Sequence, residues 1–283
     1  MGRVKRDFQR FSVDGRTIAV RKDLPEALKE EICLTLRREL GSNNSRQKNL
    51  VAELTGSTTV FCKIRALPRL KYRLRATATA AGISQNCPAI TEIINNLSMA
   101  HLDYVPRMVA YGYRRNRWGL ITETAIATEF HDECVNLREY LDLHPDQRET
   151  TILAALELMA RKLKDEVLHL DFWLGNVLIE KNSGKLWLID LEYCRFKSDA
   201  ALEDKLTFCL SYFYHYQLSR YLSPASYFDV VRPWLSRHIP DKTHAARILA
   251  KAEGSISKTL RRRERMAQFK TPRSARPSLG RLA

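Results

Sequence analysis

LHLDFWLGNVLIEKNSGKLWLIDLEYC, residues 168–194, decides how this chain is read. Asp171 and Asn176 stand close together, and Asp190 ends the apolar run that follows. Two strand-like arms, 176–181 and 185–190, flank Asn182-Ser183-Gly184. Asn-Ser-Gly is a hairpin turn signal, with glycine free to take positive φ. The arms are equal in length, so folding at Ser183 brings Asn176 back beside Asp190. Asp171 lies in the loop that feeds the first arm.

One amide and one carboxylate then meet at one end of a hairpin, with a second carboxylate nearby. Hard oxygen donors suit Mg²⁺, which takes one or two carboxylates plus substrate phosphates. The remaining carboxylate can accept a proton from an attacking hydroxyl. That division of labour belongs to phosphoryl transfer. The bland alternative is that the three are turn and capping residues.

The rest of the chain sets the frame. At 283 residues and 45% hydrophobic, it can bury one large core or two modest lobes. No apolar run reaches the roughly 18 residues needed to span a bilayer. The start, MGRVKRDFQRF, is basic but lacks an apolar signal core, which argues against export. The cysteines at 33, 62, 87, 134, 194 and 209 form no C-x-x-C pair and no zinc spacing. A reducing, cytoplasmic setting with free thiols follows. A net charge of +15 favours polyanionic partners: phosphorylated small molecules, nucleic acid or an anionic membrane face.

Residues 8–21 read as a hairpin around Asp14-Gly15. Residues 23–40 read as a helix, with Asp23 able to cap, Pro25 in the first turn and Gly41 at the end. NLVAEL and TTVFCKI read as strands joined at Thr55-Gly56-Ser57, and the second is rich in β-branched and aromatic residues. Residues 69–81 are basic and then alanine-rich, a helical insertion. CPAITEIINNLSMA has helical spacing, and 105–112 and 118–122 read as strands. From about 134 the chain turns helical, and LTFCLSYFYHYQLSRYL (206–222) reads as one buried helix of core aromatics. Residues 258–281 carry nine Lys or Arg against one Glu, a basic tail.

His169-x-Asp171-x-x-x-x-Asn176 resembles the kinase catalytic loop, and Ile189-Asp190-Leu191-Glu192 stands where protein kinases carry Asp-Phe-Gly. The chain is similar to the bacterial lipopolysaccharide kinases that phosphorylate heptose or Kdo sugars. The likeness spans roughly residues 46–270. VFCK63 looks like the strand bearing the ATP-binding lysine. TE92IINNL followed by VPRMVAYGY looks like that family's helix and next strand. LITET, 120–124, looks like the strand leading into the hinge, and EDKLTFCLSYFYH like the helix after the metal-binding aspartate.

The resemblance implies an α+β, two-lobed protein-kinase-like fold: a small antiparallel-sheet N-lobe with one key helix, and a mostly helical C-lobe. Residues 1–45 would be an extension, 46–128 the nucleotide-binding lobe, 129–257 the catalytic lobe and 258–283 the tail. Lys63 would hold the α- and β-phosphates of ATP, and Glu92 would orient it. Asp171 would be the catalytic base, and Asn176 and Asp190 the Mg²⁺ ligands. Backbone groups at Glu123, Thr124 and Ala125 would receive adenine. His169 would brace the loop, and Glu192 and Arg195 would support the metal or face the acceptor. The acceptor would be a lipopolysaccharide core oligosaccharide or lipid-linked precursor. The protein would sit at the cytoplasmic face of the inner membrane, its basic tail against anionic lipid, with no nucleic acid partner.

The chain departs from the kinase pattern. No G-x-G-x-x-G occurs; a degenerate GSNNS at 41–45 is the substitute cover for phosphates. Leu170 replaces the arginine of H-R-D, which argues against control through a phosphorylated activation loop. The glycine of Asp-Phe-Gly is absent. Three rivals therefore stand beside the sugar-kinase reading: a kinase for a protein or other small molecule, a catalytically weak pseudokinase, and a nucleic-acid binder drawn by the positive charge.

Overall fold

The computed structural model describes residues 7–42, 46–83, 87–258 and 260–270. The chain divides into two compact units, with the boundary between Asp132 and Glu133.

The first unit contains β1 (Phe8–Val13), β2 (Arg16–Arg21), α1 (Glu26–Glu39), β3 (Gln47–Leu54), β4 (Thr58–Ala66), α2 (Leu70–Ala80), α3 (Pro88–Ser98), β5 (Met108–Arg115) and β6 (Ile121–Glu129). The strands form one antiparallel sheet in the order β1-β2-β5-β6-β4-β3. Alternation along each strand splits the side chains between two apolar layers. Val60, Cys62 and Ile64 of β4 join Ile32, Leu36 and Leu40 of the α1 side. Ile90, Ile93, Ile94 and Leu97 pack the other face with Tyr111 and Ile126. Lys63, between Cys62 and Ile64, therefore emerges on the α3 face.

Strands β1 and β2 belong to this sheet, and α1 packs on one of its faces. The β1–β2 hairpin turns at Asp14 (φ 52°) and Gly15 (φ 70°), as Asp-Gly predicts. Its strand β2 then pairs with β5. Pro25, not Asp23, occupies the N-cap of α1. Asp23 is drawn away by two arginines, Arg21 at 2.8 Å and Arg107 at 2.5 Å. Among the described residues β3 is an edge strand, paired on one side with β4 and on the other side with no strand. Asn43–Ser45 of the GSNNS stretch lie outside the described residues.

The second unit contains β7 (Cys134–Asn136), α4 (Leu137–Leu143), α5 (Arg148–Lys164), β8 (Val167–His169), β9 (Val177–Glu180), β10 (Leu186–Leu188), β11 (Cys194–Phe196), α6 (Leu202–His215), α7 (Pro224–His238), α8 (Lys242–Glu253) and α9 (Arg262–Gln268). Its strands form two small sheets, β10-β9-β7 and β11-β8. Phe213, Tyr227, Trp234 and Ile248 are fully enclosed and centre the helical core. The single helix expected over 206–222 is broken. Gln217 takes φ 88°, a left-handed value, and Pro224 opens the next helix.

Candidate active site

The hairpin at the centre of the second unit forms, one residue out of the expected register. Val177 faces Leu188, and the amide of Ile189 donates to the carbonyl of Asn176 at 3.0 Å. Asn176 is thus opposite Ile189, and Asp190 sits one step beyond. The cause is the turn: Glu180 donates to Lys185, so Lys181–Gly184 forms a four-residue loop, with Gly184 at φ 71°. Asp190 leaves the strand in a left-handed conformation, φ 57°, ψ 58°. Asp190 and Glu192 present carboxylate oxygens within 4.8 Å of each other.

His169 ties the loop to the end of that hairpin. It is fully buried at the end of β8. Its Nδ1 accepts the Asp171 amide at 3.1 Å, and its Nε2 lies 3.2 Å from the Ile189 carbonyl. One neutral tautomer satisfies both contacts, with the proton on Nε2. Burial, reinforced by the Lys162 charge, lowers its pKa to about 4. The Asn176 amide nitrogen donates to the Asp171 carbonyl at 2.9 Å, closing the loop on itself. Within that loop the Trp173 indole lies where a Cβ at position 175 would be, so any larger residue there must displace that ring.

Asp171 is buried and richly hydrogen-bonded. Tyr212 of α6 donates its hydroxyl to Oδ1 at 3.1 Å, and Arg265 of α9 donates Nη1 to the same oxygen and to the Leu170 carbonyl. Arg262 of α9 reaches Oδ2 at 3.4 Å. Arg265 lies over the Tyr212 ring and Arg262 over the Tyr193 ring, at 4.5 and 4.0 Å. Burial, then the Asp171 charge, raises the Tyr212 pKa, which keeps that hydroxyl a donor. Phe213, the next residue of α6, packs tilted against Phe172 with centroids 5.3 Å apart. Arg195 contacts Met266 of α9 at 2.9 Å.

Tyr212, Arg262 and Arg265 are absent from the sequence-level set. Tyr212 reads as one core aromatic among several, although a buried tyrosine hydroxyl usually takes a partner. The two arginines read as part of a basic tail, either solvated or in contact with anionic lipid or phosphorylated sugar; both reach Asp171, Arg265 enclosed and Arg262 half-exposed. Residues 271–283 of the tail lie outside the described residues.

In the first unit, Lys63 Nζ lies 2.8 Å from Glu92 Oε1, and Arg65 lies 3.7 Å from Oε2. The adenine assignment to Glu123, Thr124 and Ala125 is corrected. They sit in mid-strand, facing Ala66, Arg65 and Ile64 of β4 on one side and Arg114, Tyr113 and Gly112 of β5 on the other. Sheet partners on both sides consume their backbone donors and acceptors. Glu123 instead extends its carboxylate toward Arg114, at 3.8 Å. A lysine strand paired to a helix glutamate, a loop aspartate followed by an asparagine, and a hairpin-end aspartate make this a protein-kinase-like α+β fold.

A profile of the lipopolysaccharide kinase (Kdo/WaaP) family matches residues 69–213, just over half of the chain. No curated protein matches it. Among solved structures, the chain is similar to the bifunctional kinase-methyltransferase WbdD, with 15% identity and a TM-score of 0.44. That match covers 91% of this chain and 51% of the other, so the chain spans about half the length of WbdD. It is also similar to the MAP kinase LmaMPK10 from Leishmania major, with 12% identity, a TM-score of 0.42 and 86% of each chain covered.

Proposed function

Because the chain belongs to the lipopolysaccharide kinase (Kdo/WaaP) family, and is therefore a phosphotransferase, we propose that it transfers the γ-phosphoryl group of ATP to a heptose or Kdo hydroxyl of the lipopolysaccharide inner core. The observation that supports this best is the pinned loop. His169 and Asn176 together hold the backbone on both sides of Asp171. Asp171 would accept the hydroxyl proton as the acceptor oxygen bonds to the γ-phosphorus, the β–γ bridge breaks and ADP leaves. Lys63, oriented by Glu92, would hold the nucleotide phosphates.

The donors suit Mg²⁺. The Asn176 nitrogen is committed to the Asp171 carbonyl, which leaves the amide oxygen as the atom that would serve as a hard ligand. Asp190 supplies a carboxylate, with that of Glu192 close by. The ion, when bound, would neutralise phosphate charge as it develops.

Contact with an anionic membrane face fits α2 as well as the tail. Leu70 and Leu74, 60% and 51% exposed, lie on one helix face beside Lys71 and Arg75. No acidic residue occurs between Glu53 and Glu92. Among the described residues no helix is long and apolar enough to cross a membrane.

The test is transfer from γ-labelled ATP to inner-core oligosaccharide by purified protein. Label on the sugar that vanishes in Asp171→Asn is the expected result. Label appearing only on added protein, or transfer that survives Asp171→Asn, would overturn the proposal.

A further inference from the structure

Helix α9 contributes side chains to the base itself. Asp171 has two carboxylate oxygens with unequal company. Oδ1 takes both the Tyr212 hydroxyl and the Arg265 guanidinium. Arg265 is enclosed, only 8% exposed along its side chain, and its Nη1 also holds the Leu170 carbonyl. That oxygen is fixed in place. Among the described residues Oδ2 takes Arg262 alone, at the long distance of 3.4 Å. The Arg262 side chain is 57% exposed and rests on the Tyr193 ring. Oδ2 is therefore the oxygen left to take a proton, and a movable cation covers it.

We propose that Arg262 selects the acceptor: it caps Oδ2 of Asp171 until an acceptor with an anionic group beside its hydroxyl draws the guanidinium away. This rests on the kinase reading of the site. A neutral acceptor offers Arg262 no better partner than the carboxylate it already has, and must compete with it for Oδ2. An anionic acceptor gives it a charge-assisted bond in exchange and uncovers the base in the same movement. The bidentate, stackable guanidinium suits a carboxylate or phosphate, and the Tyr193 ring supplies the surface across which it swings. Arg265 has the separate role of a positioning residue, holding Oδ1 so that Oδ2 keeps its direction.

The experiment compares two acceptors that differ only in charge: inner-core oligosaccharide with its carboxylates intact, and the same material with the carboxyls reduced to alcohols. A charge-assisted bond is worth about 1.5–3 kcal/mol, or roughly ten- to hundredfold in kcat/KM. Arg262→Ala should lose about that factor on the acidic acceptor while holding or gaining on the reduced one. Arg262→Lys, which keeps the cation but not the fork, should fall between. Arg262 is exposed, so the variants fold, and hydrogen exchange over 260–270 verifies that α9 stays in place. A change of equal size on both acceptors, in either direction, overturns the inference: an equal gain would mark a simple lock, an equal loss a structural part. Transfer that survives Asp171→Asn, or a wild-type protein inactive on both acceptors, would defeat the kinase reading instead.

Discussion

Lys63 on β4 and Glu92 on α3, 29 residues apart in the chain, form a 2.8 Å ion pair whose members are 10% and 8% exposed. Strand alternation puts Lys63 on the α3 face, and Glu92 sits one turn into that helix. Arg65, two residues on and so on the same face, lies 3.7 Å from the other Glu92 oxygen. Breaking a buried pair costs roughly 3–5 kcal/mol when a charge is left alone. In Lys63→Met, Arg65 remains to Glu92, so the loss of stability should fall below that range. ATP-dependent transfer should nevertheless drop by about 10²-fold or more, since Arg65 cannot replace a lysine at the phosphates. Denaturant midpoints and turnover measured on the same preparation separate the two effects. Equal losses in both would mean the lysine is structural only.

His169 makes stability depend on pH. Its folded pKa is lowered to about 4 by burial and then by the Lys162 charge, against an ordinary 6.5. The unfolded chain therefore binds the proton first. Stability is complete above about pH 6.5 and is lost as pH falls toward 4, by on the order of 3 kcal/mol for this one group. Protonation would also place a second N–H against the Asp171 amide that Nδ1 now accepts. His169→Gln should flatten that part of the stability curve, read as the denaturant midpoint between pH 7 and pH 4.5. An unchanged slope would show that His169 does not carry the effect.

How much of this was legible follows from where each signal lives. The Asp171–Asn176–Asp190 constellation is local, so turn chemistry and alternation expose it. Alternation does not fix loop length, and a four-residue turn at Lys181–Gly184 moved Asn176 opposite Ile189. The end of β6 is not legible in the sequence because ITETAIATE contains no Gly or Pro to mark it, and the strand runs on to Glu129. Lys63 and Glu92 come from different elements and were reached only by resemblance. Arg262 and Arg265 lie 91 and 94 residues from Asp171, within a run of like charge that reads as solvated surface. Nothing local records such a contact.

The α2 face carries a prediction of its own. Each Lys or Arg close to an anionic bilayer adds about 1 kcal/mol, and a buried leucine adds about 1.5–3 kcal/mol. Leu70→Ser with Leu74→Ser should weaken binding to phosphatidylglycerol vesicles by tenfold or more, while phosphatidylcholine vesicles bind neither protein. Deletion of 271–283 should have the smaller effect. If that deletion alone abolishes vesicle binding and the leucine changes do nothing, the tail is the membrane contact and α2 is not.

Phe269 holds the arginines in place from outside the helix that bears them. Its ring is fully enclosed against Phe208 of α6, with centroids 4.9 Å apart, and α6 also supplies Tyr212. A seven-residue helix is too short to persist alone, so α9 depends on this anchor. Truncating a buried phenylalanine costs roughly 3–5 kcal/mol in a cooperative core. Detachment of α9 offers a cheaper escape, so Phe269→Ala should leave global unfolding nearly unchanged and raise hydrogen exchange across 260–270. Its transfer activity should then combine the Arg262→Ala loss of discrimination between acidic and reduced acceptors with a further fall in turnover, as Oδ1 loses Arg265. A cooperative loss of global stability without local exchange would instead place α9 inside the core and make its arginines part of the folding unit.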